Sequence, residues 1–402
     1  MKTVTRIIQF LLGALFLFSG FVKAVDPLGT SYKMHDYFTS FQGDFPKFNW
    51  LWNFMLGTST MWAVIMLVFE LVLGLALIIG WRPKLTLWLT LLLMFFFTFL
   101  TGYTYLSGYT IGHWYYPGSW VFHDKDMKVT DCGCFGDFMK LKPYTSFYKD
   151  VVIDILVLIL LIWKSNMYTL LRDRIGNMVV GLGTVGALWF CFSNYLWGLP
   201  MIDFRPYAVG KSIPEGMKLP PGAKKDSVQM VFIYEKDGKK LELNMEQLKT
   251  IDGSYKFIDR KDKMIVEGDH APIHDFTITS ADGTDVTQDV LGMDNVFLLV
   301  AYEIDKSNGK VQSKVNDFVA LCQKAGIEFI GLTASNAKEI DIFRHEHNSM
   351  FDYYGTDGTT LKTMIRSNPG LMLLKKGTVT AIWHYHDFPT FDEVKQKYLN
   401  VK

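Results

Sequence analysis

Two of the four cysteines in this 402-residue chain stand one residue apart, in the stretch TDCGCFGDF at positions 130 to 138. Cys132 and Cys134 flank Gly133, and Asp131 and Asp137 lie on either side. Three chemistries fit this pattern. A redox dithiol would close a small strained ring, and strain makes a disulfide labile rather than structural. Gly133 suits that ring, because glycine adopts unusual backbone angles cheaply. The aspartates work the other way, since negative neighbours raise a thiol pKa and slow thiolate attack. A static turn or fixed disulfide is the second possibility. The third is zinc, with His113 or His123 and an aspartate completing four ligands, although one intervening residue departs from the usual spacing of a cysteine pair; we assign no metal. Cys191 and Cys322 sit in apolar surroundings and read as packing residues.

A second set of polar residues sits where apolar ones are expected. Glu70 lies inside MLVFELVLGLAL, where a carboxylate costs at least about 2.5 kcal/mol unless it is paired, protonated or facing a cavity. Lys23 and Asp26 end the first apolar run in SGFVKAVDP, and Asp150 and Asp154 share a helix face near the start of another. One function for such a set is a polar pocket near the outer leaflet that holds a quinone, a lipid head or protons. The other is an internal set of salt bridges that fixes how the spans pack.

These residues must be positioned by membrane helices. Spanning a bilayer takes roughly 20 mostly apolar residues. Five stretches answer: Val4 to Val22, Met61 to Gly80, Leu85 to Leu106, Val151 to Trp163 with its flanks, and Ile175 to Trp197. The first reads as a span rather than a cleaved leader. Lys2 and Arg6, Arg82 and Lys84, and Lys164, Arg172 and Arg174 fall on one side if the chain alternates, which makes that side cytoplasmic. Loops 24–58 and 107–150, and everything after 198, are then outside. Net charge is +1 and no basic cluster forms a phosphate footprint, which excludes nucleic acid as a partner. No inverted repeat or broken helix suggests a transporter.

The order of SGFVKAVDPLG, the acid Glu70 in a second span, and DCGCFGD before TSFYKDVVID resembles the DoxX family and its MauE-type relatives over residues 1 to 165. The resemblance implies a four-helix membrane core, thiol redox or quinone-linked electron transfer, and a thioredoxin-like partner. It makes Cys132 and Cys134 the redox pair, with Glu70 and Asp150 as supporting polar residues, and it turns "outside" into the periplasm of a bacterial inner membrane.

The second half is ordinary soluble sequence. Residues 198 to 227 are proline-rich and read as a linker, and QMVFIYEKDGKKLEL reads as a hairpin. From about 268 the order of elements resembles a TlpA- or peroxiredoxin-type thioredoxin-like domain. HAPIHDFTITSADGTDVT is its opening strand and turn, NVFLLVAYEI a buried strand, Lys310 to Ala325 a helix, and SNPGLMLLKKGTVTAIWHY a hairpin opened by Pro369, where such domains carry a cis-proline. The Cys-x-x-Cys expected after NVFLLVA is missing, since YEIDKSNGK holds no cysteine. Without a thiolate there is no exchange chemistry, so this domain is expected to bind or position a partner, with Pro369 at the binding face. His384 and His386 are expected to share a strand face and to meet solvent.

The expected fold is thus an all-α membrane bundle, a four-helix core plus a fifth span, followed by a soluble α/β thioredoxin-like domain. Residues 1–165 form the core, 166–200 the fifth span, 201–267 a linker and hairpin region, and 268–402 the periplasmic domain without catalytic cysteines. The functional expectation is thiol–disulfide redox or quinone-linked electron transfer through Cys132 and Cys134, supported by Lys23, Asp26, Glu70, Asp131, Asp137, Asp150 and Asp154. A periplasmic client or redox partner and membrane lipids are the partners. The alternative is a non-enzymatic envelope scaffold.

Overall fold

The computed structural model describes every residue except 112–119, 123–126, 130–131, 197, 224–226, 237–238, 246, 251–254, 267–270 and 400–402. The first helix, α1 (Lys2–Val25), carries the first apolar run. The stretch expected as an outer loop then folds into two helices, α2 (Pro27–Asp44) and α3 (Asn49–Gly57). Met34, Tyr37, Phe38 and Phe41 recur at helical spacing on α2 and are all buried. Next come α4 (Ser59–Ile79), α5 (Pro83–Ser107), α6 (Pro143–Ile162) and α7 (Asp173–Leu196). Helices α1, α4, α5 and most of α7 are long and apolar enough to cross a membrane. Helix α6 carries Lys149, Asp150 and Asp154 and is not one of the four, yet it puts Ile153, Val157 and Leu160 into the same core as Leu12, Leu73 and Leu87.

Small residues set the closest approach. A Cβ on Gly74 of α4 would come within 2.7 Å of the Leu17 backbone nitrogen of α1, and one on Gly13 within 3.0 Å of the Gly74 carbonyl. The two backbones can touch only because both positions lack a side chain. At the far end of the bundle, the Gln9 side chain donates to the carbonyl oxygens of Leu77 (2.8 Å) and Tyr168 (3.2 Å), and Leu170 N–H donates to Ile79 O at 2.8 Å. These contacts gather all three basic clusters of the membrane half at one end. Between α5 and α6 a short antiparallel pair forms, β1 (Tyr109–Ile111) with β2 (Trp120–Phe122).

The proline-rich stretch after α7 lies against the α/β domain. Gly210 N–H donates to Val379 O at 2.7 Å and Ile213 N–H to Gly377 O at 2.9 Å, and Ile213 opens the one-turn helix α8 (Ile213–Gly216). A three-stranded antiparallel sheet follows, in the order β4-β3-β5, from β3 (Ser227–Lys236), β4 (Lys239–Asn244) and β5 (Lys256–Val266). The hairpin β3–β4 matches expectation; β5 was not foreseen, because KFIDRKDKMIV carries too many charges to read as a strand.

The last domain contains α9 (Thr287–Gly292), β6 (Val296–Val300), α10 (Gln312–Lys324), β7 (Glu328–Thr333), α11 (Ala337–His347), β8 (Tyr353–Gly355), α12 (Gly358–Met364), β9 (Gly370–Lys375), β10 (Thr378–His384) and α13 (Phe391–Val394). Its sheet runs β10-β9-β6-β7-β8; β6, β7 and β8 are parallel, and β9 and β10 antiparallel. Apolar side chains from the two faces feed two cores, one around Phe297, Phe318 and Leu371, the other around Leu298, Ile330 and Leu361. The Asn368–Pro369 bond at the entry to β9 is cis. Central β6, the mixed sheet and the cis-proline are those of a thioredoxin-like domain. The expected opening strand is a correction: residues 271–286 hold bends and a turn, in which Thr279 bridges to Asp285, and among the described residues the segment meets the sheet through the Thr279–Gly355 bridge. The histidines are another. His384 ends β10, while His386 sits in the following 3-10 turn, so they do not share a strand face. His384 is buried, and its ring accepts from the His386 N–H.

Candidate functional site

The cysteine pair occupies a compact double turn. Gly133 (φ +60°) and Gly136 (φ +52°) are in the left-handed region, where glycine avoids the Cβ penalty. Gly136 N–H donates to Gly133 O at 3.1 Å, and Phe138 N–H to Phe135 O at 3.2 Å. The turn is pinned to the bundle: the Ser19 hydroxyl of α1 donates to Cys134 O at 2.9 Å, and Phe135 packs 6.2 Å from Phe18. Cys132 and Cys134 are each half-buried and not joined by a disulfide. Burial pushes the Cys134 thiol up, and the Lys149 charge works against it. Asp131, His113 and His123 lie outside the described residues. Among the described residues no group of three or more His, Cys, Asp or Glu is placed to hold a metal.

The polar residues of the spans are paired. Lys23 Nζ of α1 lies 2.5 Å from Glu70 Oε2 of α4, with side chains only 5% and 3% exposed, and 4.8 Å from the Phe97 ring centroid of α5. Lys149 Nζ lies 2.5 Å from Asp150 Oδ1, and Thr101 of α5 donates to Asp150 Oδ2 at 3.0 Å. One turn on, Thr98 donates to Asp154 Oδ2 at 2.6 Å. Asp150 and Asp154 therefore do share a face, the one that meets α5.

The ends of the helices away from the basic clusters and the α/β domain enclose a cavity of about 2160 Å³. Cys132, Cys134, Lys23, Glu70, Lys149 and Asp150 line its membrane side. Opposite stand Tyr302, Glu303 and Asn368, which belong to the loop after β6 and to the cis-proline turn. This is the corner of the domain where the expected dithiol is missing. Pro369 itself is buried; Asn368 reaches the cavity and donates through Nδ2 to Glu303 O at 2.8 Å. The domain is fastened there. Arg366 Nη2 lies 2.8 Å from Asp26 Oδ2 and 3.5 Å from Asp137 Oδ2, and Tyr32 OH donates to Tyr302 OH at 3.3 Å. Burial opposes ionisation of Asp26, but the charge and hydrogen bonds of Arg366 outweigh it and hold the carboxyl below the usual range.

The sequence reading missed Arg366, Tyr32 and Tyr302. Arg366 follows Asp26 by 340 positions, and nothing in a single sequence links residues so far apart.

Residues 1–112 match the family described as Methylamine utilisation protein MauE. Residues 228–267, which cover β3 to β5, match a domain of unknown function (DUF8463). No curated protein matches the chain. The solution structure of a thiol:disulfide interchange protein from Bacteroides sp. is 14% identical, with 32% of this chain and 88% of that chain covered and a TM-score of 0.27. That of a proposed protein disulfide isomerase from Bacteroides thetaiotaomicron is 18% identical, with 31% and 82% covered and a TM-score of 0.26.

Proposed function

We propose that this membrane protein, a MauE-type membrane region joined to a thioredoxin-like domain, exchanges thiol–disulfide equivalents at Cys132 and Cys134. The observation that carries the reading is their position: both line one cavity with the Lys23–Glu70 and Lys149–Asp150 pairs and with the cis-proline corner of the α/β domain. Oxidation of the pair forms one S–S bond and releases two protons and two electrons. In exchange with a client, a thiolate of one dithiol attacks a sulfur of the other partner's disulfide, and the displaced thiol leaves reduced. Lys149 supports the thiolate of Cys134, and Glu70 and Asp150 are carboxylates lining the same cavity.

The electron acceptor we favour is a quinone. Met94, Phe97 and Leu100 line the same cavity as the Lys23–Glu70 pair, with Lys23 Nζ 4.8 Å from the Phe97 ring, and apolar side chains with a hydrogen-bond donor among them suit a quinone head. Bound there, a quinone would supply a two-electron, two-proton acceptor.

In this reading α6 also crosses the membrane, as the fourth span of the core, and α7 is the fifth. The basic end faces the cytoplasm of a bacterial inner membrane with the N-terminus, and the thioredoxin-like domain is periplasmic. Residues 1–165 are the core, 166–200 the added span, 201–267 the linker and hairpin region, and 268–402 the domain that receives a client or redox partner beside Asn368 and Pro369. Asp131 and Asp137 flank the reacting pair. The second reading, an envelope scaffold, is favoured by the cysteine-free loop 302–310 and by the fastening of the domain to α2.

Mixed-disulfide trapping separates the two. Cys134→Ser leaves Cys132 unable to resolve an exchange intermediate, so cells should accumulate an adduct that collapses with dithiothreitol. No adduct from either Cys134→Ser or Cys132→Ser would turn the account to the scaffold.

A further inference from the structure

Arg366 stands two residues past the end of α12, and its side chain is 5% exposed. All three of its nitrogens are engaged. Nε donates to both oxygens of Asp26 (3.0 and 2.9 Å), Nη2 pairs with Asp26 (2.8 Å) and Asp137 (3.5 Å), and Nη1 donates to Lys362 O. The guanidinium carbon lies 5.3 Å from the Tyr32 ring centroid. Asp26 closes α1 and caps α2 by accepting from Gly29 N–H at 3.0 Å. Asp137 comes three residues after Cys134 in the same double turn. One side chain of the α/β domain thus ties together the end of span one, the start of α2 and the cysteine turn.

The place is built for it. A Cβ on Gly29 would come within 2.8 Å of Asp26 Oδ2 and 3.0 Å of Arg366 Nη2, so a side chain at position 29 would push the fork out of this arrangement. Lys362 pairs with Glu303 at 2.8 Å beside it, and Tyr32 meets Tyr302. The corner of the domain that would otherwise face a partner is held by α2 of the same chain. A lysine could supply the charge here but not the fork that engages Asp26 with two nitrogens.

We propose that Arg366 is a positioning residue: through Asp26 and Asp137 it clamps the Cys132–Cys134 turn, so that the α/β domain, which has no dithiol of its own, governs the reactivity of the membrane dithiol. This rests on the redox reading above. The clamp fixes the backbone on the Asp137 side of Cys134 while Ser19 fixes its carbonyl, and it favours the arrangement in which the two sulfurs are apart. Loosening it lets them pair more readily.

The test uses the full chain in membranes reduced with dithiothreitol. The rate at which a membrane-impermeant maleimide labels Cys132 and Cys134 is read by mass, together with the labelling of Cys322. Cys322 is buried in the α/β core and labels only if that domain unfolds. Arg366→Gln and Gly29→Ala, the second of which keeps every charge, should each label about tenfold faster at the pair with Cys322 still protected. Arg366→Lys should fall between them and wild type. Lys376→Gln, which removes only an exposed pair with Asp294, should change nothing. Disulfide formation in Gly29→Ala should separately become about tenfold more favourable at equilibrium, which lowers the midpoint potential of the pair by about 30 mV. Unchanged labelling in both main variants overturns the proposal, as does a rise in potential. Exposure of Cys322 in both makes Arg366 a folding residue and also overturns it. Labelling does not require the thiols to carry electrons. A wild-type chain without any redox transition therefore removes the redox reading and leaves the clamp to the labelling result, whereas unchanged labelling beside a normal transition removes the clamp alone.

Discussion

Replacing Lys23 by Met isolates the energetics of the buried pair. Lys23 and Glu70 are 5% and 3% exposed and 2.5 Å apart, so neither charge keeps its water. Removing one partner of such a pair costs about 3–5 kcal/mol, because the other is left buried and uncompensated. Lys23→Met should therefore lose about 3–5 kcal/mol. Lys23→Met with Glu70→Leu removes both charges and should lose no more than about 1 kcal/mol, since apolar replacement of a whole buried pair is often neutral or stabilising. Equilibrium unfolding of the purified chain by titration with a denaturing detergent, followed by tryptophan fluorescence, measures both. A single variant as stable as wild type, or a double variant as damaged as the single, would refute the reasoning that the pair is a desolvated, mutually dependent unit.

Gly74→Ala should cost about 1–3 kcal/mol by overpacking against the Leu17 backbone, whereas Gly181→Ala, with open space around it, should gain up to about 1 kcal/mol of helix propensity; the same titration reads both. Alkylation of reduced Cys134 should rise about tenfold per pH unit from pH 7 upward, because burial holds the thiol above its ordinary value of 9.0. Lys149→Met, which removes the charge that opposes burial, should slow it further at each pH. Burial lowers the His384 pKa from 6.5 to about 4, so between those values the unfolded chain binds the extra proton. The stability contribution is full above 6.5 and lost as pH falls toward 4; His384→Gln should flatten that part of the α/β domain's thermal stability profile.

Four of the five expected spans were legible because runs of about 20 apolar residues have few other uses, whereas α6 falls short of that apolarity. The sheet of the last domain was legible because NVFLLVA and GLMLLK are apolar throughout, as strands covered on both faces must be. Helix α2 was also written in the sequence, in the spacing of Met34, Tyr37, Phe38 and Phe41, but its polar face keeps SYKMHDYFTSFQGD below the hydropathy of a span, and it passed for a loop. Glu70 announced itself as a residue needing a partner, and Lys23 as one of a polar set at the end of the first span; only packing of α1 on α4 through Gly13 and Gly74 makes them each other's partner. Gly133 was foreseen as the flexible point of the cysteine turn, and the left-handed angle is there. The clamp at Arg366 left no trace in the sequence, because it depends on where a whole domain docks.

The central claim is that Cys132 and Cys134 work as a dithiol, and a redox titration of isolated membranes tests it most directly. Thiols are trapped by alkylation across a series of poised potentials, and the two cysteines are read by mass. The account predicts one reversible two-electron transition that is lost in Cys132→Ser. Thiols that stay in a single state across the whole range would contradict it.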